Sequence, residues 1–165
     1  VPDVTATDWY ALIDAAQDAR LHGLIAQCEA RCCLFSGRLS PRFAAAAPWL
    51  VRIDPREPLV RIWQVHGRGR NWGVMCEAEG GPESLRRHFR RFLQASLPDG
   101  TVAQFRFYDP RVFLAYMFGA GEDERRPWFE GIRQFVVEGA DGAEHSLRLR
   151  GGQLYDGDQP AGKAA

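Results

Sequence analysis

The sequence has almost no lysine: of its 21 basic residues only Lys163 is one, and the rest are arginines with rigid, planar guanidinium forks suited to carboxylates and interfaces. It also has no charge of either sign in excess, since 21 acidic residues balance the 21 basic ones. A balanced chain offers no overall field to draw in nucleic acid or anionic lipid, so any charged contact has to be a local patch. No apolar run approaches the roughly 20 residues that span a bilayer, and the opening VPDVTATD does not resemble a secretory signal. Together these lead to the expectation of a cytoplasmic chain without membrane insertion. The glycine patterns that cradle phosphates and the G-x-S-x-G elbow of nucleophilic hydrolases are missing as well. Four cysteines, Cys28, Cys32, Cys33 and Cys76, follow no common zinc spacing, and no nearby histidine completes a ligand set. They read as buried free thiols in a reducing compartment, and the sequence calls for no metal and no cofactor.

What is present is ample core material: 165 residues, 45% hydrophobic and 12% aromatic, enough for one self-supporting domain. Trp9, Ala11 and Ile13 alternate with Tyr10, Leu12 and Asp14, the period of a buried strand. Leu21, Leu24, Ile25, Cys28 and Cys32 repeat at three and four, which predicts a helix carrying both cysteines on its apolar stripe. Strands are expected at 32–35, 49–53 and 72–77, with a helix through Leu59, Ile62, Trp63 and His66 between the last two. From Pro82 to about Ser96 a long helix is expected, with Leu85, Phe89, Phe92 and Leu93 inward and arginines on the flanks. Val102–Tyr108 reads as a strand. Asp109 then stands at a helix N-cap position and Pro110 at the first helical one. Ile132–Val137 and Ser146–Arg150 flank the turn signal Ala140-Asp141-Gly142, an antiparallel hairpin. The sum is an α/β domain over residues 1–150, a mixed β-sheet with packed helices and a C-terminal antiparallel hairpin. A flexible tail is expected over 151–165.

Three groups of residues stand out as candidates. Arg86, Arg87, His88, Arg90 and Arg91 crowd the flanks of the long helix, either as a solvated face or as a patch that docks an acidic partner. Trp128, between Pro127 and Phe129 in a loop, is the tryptophan expected to be exposed and available to a protein partner, whereas Trp9, Trp49, Trp63 and Trp72 lie in apolar runs and read as core. Arg106, Tyr108, Asp109, Pro110 and Arg111 have a structural reading as strand end, cap and helix start, with Arg106 or Arg111 paired to Asp14 or Asp109. Asp14, His88 and Asp109 are the residues an enzyme would use if they met in a cleft at the strand ends. A nucleic-acid module working through the arginine helix is the weaker alternative, because a single helix of arginines lacks an extended basic stripe with interleaved aromatics.

In order along the chain, YALIDAAQ (10–17), CCLFSGRL (32–39), AAPWLVRID (46–54), NWGVMCEA (71–78), LRRHFRRFL (85–93) and DGTVAQFRFYDPRVFLAYM (99–117) form a combination more specific than any one piece. Over about residues 9–138 the chain resembles the adaptor or chaperone family of bacterial type VI secretion effectors. The resemblance implies a non-enzymatic cytoplasmic protein that binds a secreted toxin effector and helps load it onto the valine–glycine repeat spike protein. It matches Arg86, Arg87, His88 and Arg90 without assigning them a role, and it matches Arg106, Asp109, Pro110 and Arg111 as fold-holding positions. Many relatives continue into a longer variable C-terminal region, so the chain is expected to be a minimal or trimmed member.

Overall fold

Alternation and turn chemistry place most of the strands. In the computed structural model, which describes residues 6–162, they are β1 (Thr7–Asp14), β2 (Arg31–Cys33), β3 (Pro48–Arg52), β4 (Gly73–Glu79), the pair β5 (Gln94–Ser96) and β6 (Val102–Gln104), then β7 (Ile132–Glu138), β8 (Glu144–Arg150), β9 (Gln153–Asp156) and β10 (Gln159–Pro160). Between them lie α1 (Leu21–Ala26), α2 (Pro41–Ala44), α3 (Pro58–Ile62), α4 (Pro82–Arg90), α5 (Pro110–Gly119) and α6 (Glu122–Arg125). Eight strands make one sheet in the order β10-β9-β8-β7-β4-β1-β3-β2, every pairing antiparallel, and β5 and β6 form a separate two-stranded ribbon. The α/β domain with its closing hairpin is therefore the architecture observed.

Both faces of the sheet are used, unequally. Tyr10, Leu12, Val74, Cys76, Phe135 and Leu147 point to one side, where they pack with Leu85 and Phe89 of α4 and with Phe113 and Met117 of α5. Ala11, Ile13 and Val51 point to the other, where Leu21 and Ile25 of α1, Leu59 of α3 and Trp72 cover them. The alternating run at 9–13 is thus buried on both faces, except for Trp9, which the second layer leaves 38% exposed. Over β7, β8 and β9 that second face carries polar side chains. Glu77 accepts from Thr7 and from Gln134 at 2.7 Å each, and the Gln134 carbonyl accepts from Ser146 at 2.9 Å and Arg148 at 2.6 Å.

Several expected boundaries move. The helix through the first cysteines stops at Ala26, and Cys32 belongs to strand β2, because Arg31 and Cys33 pair with Val51 and Trp49 of β3. The Leu59–His66 helix ends at Ile62 and widens into a π-helical turn, Trp63–Gly67, which leaves His66 exposed. α4 ends at Arg90, and Gln94–Ser96 turns back as β5 because Leu97-Pro98-Asp99-Gly100 closes a hairpin with β6 rather than a helix end. Val102–Tyr108 is extended as a strand only to Gln104; Phe107 and Tyr108 lie in a turn and are buried. The stretch expected to fray pairs instead as β9 and β10, with Leu154 fully buried, and only residues 163–165 of it lie outside the described ones.

At the start of α5 the expected cap forms. Asp109, 5% exposed, accepts from the backbone N–H of Arg111 at 3.0 Å and from its guanidinium at 3.0 and 2.7 Å. Burial alone would push this carboxyl up, but the Arg111 hydrogen bonds and the nearby positive charge outweigh it and hold the group below the ordinary carboxylate range. A depressed folded-state pKa gives stability that is present above the unfolded value and lost as pH falls through the folded one. Asp109→Ala is expected to cost about 1–2 kcal/mol at neutral pH by urea titration, with the gap to the parent closing under acid conditions.

Candidate functional site

The arginine helix sits at the β2 edge of the sheet and is oriented by its apolar stripe, Leu85 and Phe89, in the core. Pro82 occupies its first turn with Glu83, and Arg87, His88 and Arg90 fall in the last turn, where positive charge suits the helix dipole. The residues that spacing groups together then separate by what they touch. Arg86 donates to the carbonyl of Cys33 at 2.7 Å and to that of Phe35 at 3.2 Å, fastening the helix to the edge strand. Arg90 donates to the Ser36 hydroxyl. Arg91 reaches Glu130 at 2.9 Å. Arg87 is exposed, with no side-chain hydrogen bond or ion pair among the described residues.

His88 is half-buried, with its ring edge-on to Phe89 and Phe92. Nε2 lies 3.2 Å from the Trp128 carbonyl and Nδ1 2.9 Å from the Arg91 guanidinium. Those partners fit the neutral ring with the proton on Nε2, donating to the carbonyl while Nδ1 accepts from arginine. Burial first, and the Arg91 charge second, push the His88 pKa down. The unfolded chain then takes up this proton before the folded one, so stability falls as pH drops through about 6.5, the unperturbed histidine value. Replacing His88 with phenylalanine is expected to flatten the dependence of melting temperature on pH between 7 and 5. An unchanged slope would rule out His88 as its source.

Trp128 is not at the surface. It is 2% exposed, lies in the 3-10 turn Arg126–Phe129, and stacks on Phe92 with ring centres 3.9 Å apart. Phe105, Phe107, Phe113 and Tyr116 complete the cage. A loop tryptophan between proline and phenylalanine gives no periodic signal, and residues 12–36 positions away bury it; the expectation of an exposed anchor is corrected on that ground.

Of the fold-holding set, Arg106 pairs with Asp14 at 2.5 Å and Arg111 with Asp109 at 2.7 Å. Asp14 is fully buried and also accepts from the Ala16 N–H at 3.2 Å and the Gln17 amide at 2.9 Å. Tyr108 is buried beside Arg106, with its hydroxyl 3.2 Å from the Gln104 amide. Pro110 is buried at the helix start. Asp14, His88 and Asp109 are not gathered in one cleft: none of the cavities of ≈ 550, ≈ 460 and ≈ 350 Å³ is lined by two of them. Burial pushes the Cys28 thiol up to about 12 and the Cys32 thiol up to about 11, and lifts Cys76 as well, so all are protonated and poor nucleophiles at neutral pH.

Two of these cavities flank α4. The ≈ 350 Å³ one lies between Arg87, His88, Arg91 and the loop at Glu130 and Gly131. The ≈ 460 Å³ slot lies between Leu34, Phe35 and Ser36, the helix end at Arg90 and Arg91, and the β5–β6 ribbon. Sequence reasoning missed this slot because its walls come from three separate stretches. A third, ≈ 550 Å³, sits where the second helical layer stops, against Trp63, Trp72, Met75, Val136 and Arg111. The π-helical turn is one of its walls, and Asn71 at φ 54° adjoins it.

The molecule is thus an antiparallel sheet layered unevenly by helices, with an arginine-faced helix at one edge and shallow clefts on either side of it. The chain belongs to the family described as Domain of unknown function (DUF4123), whose model matches residues 9–127. No curated protein and no solved structure matches it. Among the described residues no helix is long and apolar enough to cross a membrane.

Proposed function

We propose that this protein is an adaptor that binds a toxin effector of a type VI secretion system in the cytoplasm and helps load it onto the valine–glycine repeat spike, without catalysing a reaction. The observation that carries the reading is the outer face of α4: Arg87 is exposed at the rim of one cleft and Arg90 lines another, while Arg86 and the aromatic cage beneath anchor the helix that presents them. A rigid ridge with open clefts beside it suits recognition of a macromolecular surface, where arginine is enriched among the residues that dominate binding. The motif series that resembles effector adaptors also falls largely within the family match over 9–127.

The test is a pull-down from the native lysate, eluted in steps of rising salt and identified by mass spectrometry. Co-recovery of a large toxin-like protein together with the spike supports the proposal. Recovery of neither overturns it. Arg87→Glu combined with Arg90→Glu is expected to weaken that capture at least tenfold while lowering the stability measured by urea unfolding by less than about 1 kcal/mol, because Arg87 is exposed and Arg90 gives a single hydrogen bond, to the Ser36 hydroxyl.

A further inference from the structure

The slot between α4 and the β5–β6 ribbon combines two features that the cavities at Arg87 and at Trp63 do not share. Its charged lining is of one sign, Arg90 and the Glu130-paired Arg91 with no carboxylate, so that Arg90 brings an uncompensated charge, whereas the cavities at Arg87 and at Trp63 mix acidic and basic groups. It is also bordered by an open strand. In the ribbon the Phe105 N–H donates to Leu93 and the Leu97 N–H donates to Thr101, both at 2.8 Å. The antiparallel period of two then turns the backbone N–H and C=O groups of Val102 and Gln104 away from β5. Among the described residues nothing pairs with β6 on that side, and the Val102 side chain is 63% exposed.

The contrast with the other wall is instructive. There the outward carbonyls of Cys33 and Phe35 are already taken by the Arg86 guanidinium, which closes the edge of the large sheet against further pairing. One edge beside the slot is capped and the other is left open, and the open one adjoins Arg90 and the apolar surface of Phe35 and Val102. Arg90 gives one hydrogen bond, to a neutral hydroxyl, so most of its five donors remain for an incoming group.

We infer that the slot receives an extended, acidic segment of a partner protein, which adds a third strand to β6, sets a carboxylate against Arg90, and rests an apolar side chain on Phe35 and Val102. Strand addition draws affinity from main-chain hydrogen bonds and specificity from alternate side chains, and charge-assisted bonds to arginine fix the register. The inference rests on the adaptor reading only for the identity of the partner that supplies the segment.

The probe is a phage-displayed library of random twelve-residue peptides, selected on the intact chain, with the winners resynthesised and titrated by fluorescence anisotropy. The expected winners alternate β-branched or aromatic residues with others and carry at least one Asp or Glu. Arg90→Glu and Val102→Pro, which removes the outward N–H, should each weaken them tenfold or more, and Arg68→Glu at the far cavity should leave them unchanged. A readout independent of protein folding is N-methylation of the peptide: methyl groups on one alternate set of amides should abolish binding and on the other set should not. No enrichment, winners without acid residues, or insensitivity to both N-methylation sets each overturns the inference. So does concentration-dependent dimerisation that Val102→Pro blocks, since the edge would then serve a second copy. A native client captured equally by the parent and both variants would discard the slot and keep the adaptor. Peptide binding as expected, with neither effector nor spike in the pull-down, would keep the slot and discard the adaptor.

Discussion

Gly73→Ala is expected to unfold the protein or cost more than about 4 kcal/mol, an exceptional figure for a single methyl group. Gly73 opens β4 opposite Ile13 of β1, and a Cβ there would stand 2.1 Å from the Leu12 carbonyl oxygen and 3.0 Å from its carbon. These are backbone atoms of an adjacent central strand, so no rotamer change relieves the contact and the two strands must part. Against a total stability of about 5–15 kcal/mol that loss is decisive. Urea unfolding followed by tryptophan fluorescence measures it, with Gly23→Ala as control, because a Cβ at Gly23 meets nothing within 4 Å. A Gly73→Ala protein within about 1 kcal/mol of the parent would show that β1 and β4 do not approach as described.

Trp128→Ala is the second large effect. The ring fills a cage of five aromatic side chains, and its removal is expected to cost about 3–5 kcal/mol. For a chain of this size that lowers the melting temperature by about 6–20 °C. Partner capture by the folded fraction should be unaffected, since no part of the ring is offered to solvent. An alanine variant that melts with the parent and yet loses its partner would return Trp128 to the interface.

Much of this architecture was legible in local pattern. The alternation at 9–13, the Asp109-Pro110 cap and the hairpin about Asp141-Gly142 each use chemistry complete within a few residues. The pairing of Arg106 and Arg111 with Asp14 and Asp109 was also foreseeable, because strand end and helix start must meet. Features decided by distant partners were hidden. Phe92 and Leu93 fit a helical stripe as well as the approach to a strand, and only the β6 half of the ribbon distinguishes the two. The glycine-rich composition after Arg150 resembles a frayed end because the strands there are short and owe their order to β8. At the candidate site the arginine spacing was visible, but the carbonyls that occupy Arg86 lie 51 and 53 positions upstream. Sequence alone therefore could not separate the bracing arginine from the free one.

The family match ends at residue 127, yet β7, which begins at Ile132, pairs with β4 near the middle of the sheet. During synthesis at about 5–20 residues per second, β4 therefore waits roughly 3–12 s for its neighbour to be made. Through that interval the unpaired edge of β4 and the core-facing Val74, Cys76 and Ala78 lack the Phe135 and Val137 surface that later covers them. Slower elongation or warmer growth lengthens or aggravates this exposure. Yield in a host cell should depend on how well nascent chains are shielded before the last quarter of the polypeptide arrives, even for variants whose finished fold is fully stable.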